Sequence, residues 1–224
     1  MRLLLVNPNT NTQTTAMMAS IASEALLGDK SAGDQESPLV VDSLTVTRGV
    51  SLITDDHALA EAALAVSESL ATVDTQSYQG IVIAAFGDPG LARARALTST
   101  PITGIAEAAM AEAPGRFAVV TTTPGLVDSI TQMANQYGHA GRFAGVHLTP
   151  GDPASLMADP NALLAAMLSA CRAAIDSESP DSIVIGGGPL ARIARALKPL
   201  LPLPVIEPIP AAIRLAKLRA GVNS

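Results

Sequence analysis

Short apolar runs alternate with longer segments of helical periodicity along the whole chain. Each apolar run ends in polar or turn-forming residues and is shorter than a typical helix. We predict eight buried strands, at residues 3–6, 39–41, 81–84, 102–103, 117–120, 145–148, 183–185 and 205–206. Strands that alternate with helices are typical of β-α units around a parallel sheet, so the predicted class is α/β.

The chain also contains an internal repeat. The stretch IVIAAFGDPGLARARAL at 81–97 is echoed by IVIGGGPLARIARAL at 183–197. PITGIAEAAM from Pro101 corresponds to PVIEPIPAAI from Pro204, and LLLVNPNT from Leu3 corresponds to FAVVTTTP from Phe117. Two copies with so long a period indicate a duplicated domain, because solenoids repeat at shorter periods and need three or more copies.

The duplication predicts two pseudo-symmetric α/β domains with mainly parallel four-stranded sheets and a cleft between them. We predict a first domain at 1–98 plus 208–224 and a second at 99–207, with a margin of eight residues, because a last helix often packs back on the first half. Residues 28–38 are predicted to be a polar surface loop. A helix is predicted from Pro160 to Ile175, with Asp159 as its cap and Cys171 on its apolar stripe.

Composition and charge narrow the class of partners. The net charge is −6 and no run of lysine or arginine occurs, so neither nucleic acid nor an anionic membrane surface is an expected partner. No apolar segment approaches the ~18 residues that span a bilayer. Cys171 is the single cysteine, which excludes an intramolecular disulfide and favours a cytoplasmic protein. Alanine- and leucine-rich helices are compatible with a homo-oligomer.

Polar or small residues follow several of the predicted strands. They comprise Asn9 and Thr10, residues 85–88, Thr121 to Thr123, residues 186–188, and Glu207. Carboxyl ends of parallel strands gather ligands, so facing turns could hold a small carboxylate, amide or ureide. Simpler structural roles also fit: Asn9 as a helix cap, Asp88 as a turn residue, and the three glycines as a tight turn.

Several familiar catalytic and cofactor patterns are missing. The stretch GGGPL lacks the spacing of a dinucleotide-binding loop and has no lysine followed by serine or threonine, so Rossmann and P-loop sites are rejected. His57, His139 and His147 are scattered, which makes a metal site unexpected. No Gly-x-Ser-x-Gly elbow occurs. Glu207 ends a strand between apolar residues, where a carboxylate needs a partner or a function.

Taken in order, NPNT, AAFGDPGL, GIAEAAM, VVTTTP and PVIEPIPAAIRLA cover nearly the whole chain. Together they resemble the aspartate/glutamate/hydantoin racemase superfamily, closest to its hydantoin and allantoin racemase branch. The resemblance implies two pseudo-symmetric domains, a small-molecule substrate in the cleft and no cofactor. It also implies binding positions, which fall on Asn9, Phe86, Gly87, Thr121, Thr122 and Gly188.

The resemblance further implies a pair of catalytic cysteines, one at each turn, which move a proton between opposite faces of the substrate. Those positions hold Ala85 and Gly187 in this chain, so both thiols are missing. Three hypotheses stay open. The chain is an isomerase-like enzyme with Glu207 or Asp88 as its base, a hydrolase or lyase that uses a carboxylate base, or a non-catalytic metabolite-binding protein.

Overall fold

The computed structural model describes residues 1–28 and 40–221. The strands within these ranges are β1 (Arg2–Asn7), β2 (Val40–Thr45), β3 (Gly80–Ile83), β4 (Ile102–Gly104), β5 (Phe117–Thr121), β6 (Phe143–Leu148), β7 (Ser182–Ile185) and β8 (Val205–Ile206). The α-helices are α1 (Thr12–Gly28), α2 (Asp56–Leu70), α3 (Leu91–Leu97), α4 (Ile105–Glu112), α5 (Val127–Gln136), α6 (Pro153–Ala158), α7 (Pro160–Glu178), α8 (Ala191–Leu197) and α9 (Pro208–Arg219). All eight predicted strands are present, and residue 39, the first of the second predicted strand, lies outside the described residues.

The strands form two four-stranded sheets with the same topology. The first has the order β2-β1-β3-β4 and the second has the order β6-β5-β7-β8. Every pairing within both sheets is parallel. The predicted α/β class with two pseudo-symmetric sheets is therefore confirmed.

The apolar core is continuous between the two sheets. One face of the first sheet packs with α2 and α3, and one face of the second packs with α7 and α8. The remaining faces share a central cluster with α1, α4, α5 and α9, which includes Leu5, Ile105, Phe117 and Ile213. Buried strands between helical layers explain why the strand sequences are uninterrupted apolar runs.

The chain crosses between the halves at β4 and again at α9. Strand β4 pairs with β3, so the first sheet extends to residue 104, within the margin given to the predicted boundary at 98. Helix α9 packs against α1, α4 and β3 after β8 has completed the second sheet. The division into 1–98 plus 208–224 and 99–207 stays a prediction.

Helix α7 matches the sequence prediction and continues for three residues beyond it. Asp159 caps it by accepting hydrogen bonds from the N–H groups of Asn161, at 2.9 Å, and Ala162, at 3.2 Å. Cys171 is fully buried against the second sheet. Burial raises the pKa of the Cys171 thiol to about 12, which makes it an inert apolar residue rather than a nucleophile.

Three further sequence expectations concern the loop at 28–38, the length of the second strand and the absence of a membrane-spanning segment. The predicted loop at 28–38 lies, except for residue 28, outside the described residues. Strand β2 extends to Thr45, beyond the predicted end at residue 41. It is an edge strand with partly exposed side chains, so it can include the polar residues Asp42 and Ser43, which hid the strand in the sequence. Among the described helices, none has the length and apolarity needed to cross a membrane.

Candidate functional site

A pocket lies where the carboxyl ends of the two sheets meet. The first half contributes Asn9 and residues 84–86, and the second half contributes Thr122, Thr123 and residues 186–190. Four of the binding positions that the resemblance implies line it, at Asn9, Phe86, Thr122 and Gly188, and so do Ala85 and Gly187, the positions where it implies thiols. The duplicated turns therefore face each other across one cleft, as the repeat predicts.

The two turns approach each other closely at Gly188. A Cβ atom built on Gly188 would lie 2.7 Å from the Ala84 carbonyl oxygen and 2.8 Å from the Met18 sulfur. A larger residue would push the halves apart, since real Cβ atoms essentially never come this close to backbone. The glycine at this position is thus explained by the contact between the halves.

Asn9 forms the polar wall of the first half. Its side chain is 4% exposed, and its Oδ1 atom accepts hydrogen bonds from Asn7 Nδ2 and from the Asn11 N–H, both at 2.9 Å. Asn7 itself is fully buried and also lies 2.9 Å from Thr15 Oγ1. The NPNT sequence therefore builds an asparagine network whose outermost member reaches the pocket.

Threonines form the polar wall of the second half. Thr121 lies beneath the pocket, fully buried, and its hydroxyl donates to the Gly186 carbonyl oxygen at 2.7 Å. Because its single proton is used there, Thr121 can only accept from Thr123, whose hydroxyl is 3.1 Å away. Thr123 is left with acceptor lone pairs at the pocket surface.

The first turn offers unpaired backbone donors. Among the described residues, the N–H groups of Ala85, Phe86 and Gly87 make no hydrogen bond. Gly87 has φ +127° and faces away from the pocket, where a side chain would meet Leu59. Successive free N–H groups in a turn of this kind suit a carbonyl oxygen or an anion.

Asp88 does not line this pocket. Its backbone has the left-handed φ of 45°, which turns the carboxylate toward the first turn of α4. There Oδ1 accepts from the Ala106 N–H at 2.9 Å, and Oδ2 accepts from the Glu107 N–H at 2.7 Å and from the Tyr137 hydroxyl at 2.8 Å. Burial raises the pKa of Asp88 to about 6, although these three hydrogen bonds lower it.

Glu207 also lies outside the lining of the pocket. It is 6% exposed, its Oε1 atom pairs with the Lys198 ammonium, and Arg195 Nε lies 3.5 Å from its Oε2 atom. Arg195 also binds Glu24 of α1 at 2.7 Å and so joins the two halves. The structure thus gives this buried carboxylate cationic partners, although Oε2 makes no hydrogen bond with any described residue.

Arg95 of α3 and Arg195 of α8, which occupy equivalent positions in the repeat, both pair with an acidic residue. Arg95 donates to the Ile102 carbonyl oxygen at 2.8 Å and binds Glu107, so it holds the strand that follows its helix. Arg195 stands at the equivalent place and pairs with Glu207. In the first half the paired acid is Glu107 of α4, and in the second half it is Glu207, at the end of β8.

Apolar residues complete the pocket, and the sequence pattern did not reveal them. They are Leu52, Ile53, Leu126, Met157 and Leu190. Leu52 and Ile53 precede a bridge between Asp55 and Gly125 that joins the two halves. Ordinary aliphatic residues in connecting segments carry no sequence signal of a binding site.

Titratable groups are missing from the lining of this pocket. Among the residues described, it contains no Asp, Glu, His, Lys, Arg or Cys. The positions where the resemblance places thiols hold Ala85 and Gly187, both at the pocket surface. No group of His, Cys, Asp and Glu side chains within the described ranges could hold a metal ion. The site can offer hydrogen bonds and apolar contact, but its side chains have no readily transferred proton.

Comparisons of the sequence and of the structure with known proteins find racemases in each case. The family model described as Asp/Glu/Hydantoin racemase matches residues 3–216. The hydantoin racemase of Paenarthrobacter aurescens is 28% identical over 97% of this chain and 90% of its own length. The allantoin racemase of Klebsiella pneumoniae superposes with a TM-score of 0.83, at 30% identity, over 99% of this chain and 88% of that one. The Pseudomonas fluorescens allantoin racemase gives a TM-score of 0.84 at 25% identity, with 100% and 93% covered.

Proposed function

Because the chain belongs to the Asp/Glu/hydantoin racemase family, we propose that it binds a small cyclic ureide or amide, of the hydantoin or allantoin kind, in the cleft between its halves. The observation that carries this proposal is the lining of the pocket. Asn9 and Thr123 face it from opposite halves, and no charged side chain of the described residues lines it. A neutral ligand with several hydrogen-bonding groups fits such a lining, because a free amino acid would need a counter-charge for its ammonium group.

We propose that the cleft holds this ligand without the two-thiol racemisation that the resemblance implies. Proton transfer needs a group that is both within reach and able to titrate. Ala85 and Gly187 line the pocket but cannot titrate, while Asp88 and Glu207, the candidate bases, lie outside the lining and contact α4 and Lys198. The function favoured by this geometry is metabolite binding, without a cofactor.

Catalysis is a second candidate because of one specific feature. The free N–H groups of Ala85 and Phe86, two residues of the pocket lining, could stabilise an enolate or oxyanion formed on a bound ureide. Water would then have to carry the proton that thiols carry in the implied mechanism. Such an enzyme would racemise slowly, and hydrolysis or lyase chemistry would use the same oxyanion site.

One experiment separates these candidates. The protein is incubated with 5-substituted hydantoins, allantoin and free amino acids in deuterium oxide, while NMR follows exchange at the α-carbon and any new product. Calorimetric titration of the same compounds measures binding. We expect binding of ureides with no exchange above the solvent rate. Exchange with inversion would establish a racemase, a new product would establish a hydrolase or lyase, and absence of binding would refute the proposal.

A further inference from the structure

The orientation of the Asn9 side-chain amide is fixed by backbone groups. The atom next to the Asn11 N–H, at 2.9 Å, has to be an oxygen, because a backbone N–H can only donate. The nitrogen atom, Nδ2, is therefore on the other side of the amide plane. Nδ2 makes no hydrogen bond with any described residue and is not among the fully enclosed side-chain atoms that lack a partner, so we infer that it reaches the surface of the pocket that Asn9 lines.

Asn7 reinforces this orientation and is itself fixed by the backbone. Its Oδ1 atom accepts from the Asn9 N–H at 3.2 Å, and its Nδ2 atom donates to the Asn11 carbonyl oxygen at 3.1 Å. The same nitrogen lies 2.9 Å from Asn9 Oδ1. Rotating either amide by 180° would bring like groups together in a buried site, which costs free energy because neither partner can turn to water.

We propose that Asn9 is a specificity-determining residue, which presents only a hydrogen-bond donor to the ligand, and that Asn7 and Asn11 are positioning residues that prevent its amide from flipping. The inference rests on the proposed function. A ligand must then place an acceptor, such as a ring carbonyl oxygen, against Asn9 Nδ2. An analogue with an amino group at that place leaves two donors facing each other and is rejected.

The opposite wall has the complementary polarity. Thr123 can donate to Thr121, and its remaining lone pairs accept from a ligand N–H. Asn9 and Thr123 together would recognise the two ends of a –CO–NH– unit. This complementarity distinguishes an amide or ureide from a carboxylate, which has acceptors only.

The test is the replacement Asn9→Asp, which exchanges the free Nδ2 donor for an acceptor of the same size. Oδ1 keeps its contacts with Asn7 and the Asn11 N–H, so the local turn is preserved. Hydantoin and its 2-imino and 4-imino analogues are titrated calorimetrically into each protein. In the imino analogues, one carbonyl oxygen of the ring is replaced by a nitrogen that carries hydrogen. Asn161→Asp, an exposed change at the start of α7, is the control with equal charge.

We expect wild type and Asn161→Asp to bind hydantoin about tenfold or more tightly than at least one imino analogue. Asn9→Asp should reverse that preference. Asn9→Ala, whose side chain has neither donor nor acceptor, should abolish the preference. This variant replaces Asn9→Asp in the test if the aspartate variant does not fold. If wild type binds hydantoin but the folded Asn9 variants keep the preference of wild type for hydantoin over the imino analogue, the inference about Asn9 is refuted while the proposed function stands. Absence of binding to all three compounds by wild type would overturn the proposed function as well.

Discussion

Gly104 allows the closest contact of the Asp88 carboxylate with α4, and this contact leads to a sharp stability prediction. A Cβ atom added at Gly104 would overlap all three atoms of the Asp88 carboxyl group, well inside the 3.0 Å limit for real side chains. The φ of Gly104 is −90°, which alanine adopts freely, so the cost of Gly104→Ala is steric. The carboxylate would have to leave the first turn of α4.

The magnitude follows from the hydrogen bonds that would be lost. Asp88 accepts from the N–H groups of Ala106 and Glu107 in a buried place. Two hydrogen bonds to a charged group contribute about 3–6 kcal/mol, but at pH 7.5 the ionised carboxylate also escapes a burial cost of up to about 3 kcal/mol, so Gly104→Ala should lower the free energy of unfolding by about 1–3 kcal/mol. Gly141→Ala is the matched control, since no atom lies within 4 Å of its added Cβ, and we expect a change within about 0.5 kcal/mol.

A double-mutant cycle tests the assigned cause. Asp88→Gly tolerates the left-handed backbone and removes the overlapping atoms, so adding Gly104→Ala to it should cost less than about 1 kcal/mol. The measurement is urea denaturation of the four proteins, followed by far-UV circular dichroism at pH 7.5. Equal costs of Gly104→Ala in both backgrounds would refute the reasoning, because the two residues would then act independently.

Three further predictions concern titration and thiols. The folded pKa of Asp88, about 6, exceeds an unfolded value of about 3.9, so the stability that protonated Asp88 contributes is present at low pH and is lost as the pH rises from about 4 to about 6. The free energy of unfolding should fall by up to about 3 kcal/mol between these two pH values. Asp88→Asn should remove this dependence on pH in urea denaturation. Cys171 should react with a thiol reagent only at the rate of unfolding, and fast labelling of the native protein would contradict its burial. Ala85→Cys combined with Gly187→Cys should introduce α-proton exchange on a 5-substituted hydantoin, measured by NMR, with neither single variant sufficient; a Cβ at Gly187 lies 3.0 Å from the flexible Leu190 side chain, which can shift.

Strand positions could be predicted from the sequence because parallel strands that are buried on both faces consist of consecutive apolar residues. The facing turns could be predicted because the duplication repeats them. The positions of Asp88 and Glu207 could not, since a carboxylate in a turn reads the same whether it faces a cleft or a helix. A backbone φ of 45° and a neighbouring glycine at 104, sixteen residues later, decide the direction of Asp88.

The depth at which a polar residue lies was equally hard to predict. Thr121, Thr122 and Thr123 are adjacent in sequence, yet only the last two line the pocket. Strand β5 ends at Thr121, which is fully buried beneath the pocket, whereas Thr122 and Thr123 lie beyond the strand end. Leu52 and Ile53 come to the pocket through a bridge between the halves, a long-range contact that no local pattern encodes.

The packing of α9 on α1 and β3 has a consequence for how the chain folds during synthesis. The apolar face that α1 and β3 present to α9 is completed by residues about 130 to 200 positions later in the chain. A ribosome adds about 5–20 residues per second, so the first sheet would wait on the order of ten seconds or more for this helix. During that interval its uncovered face is a site for chaperone binding or misassociation.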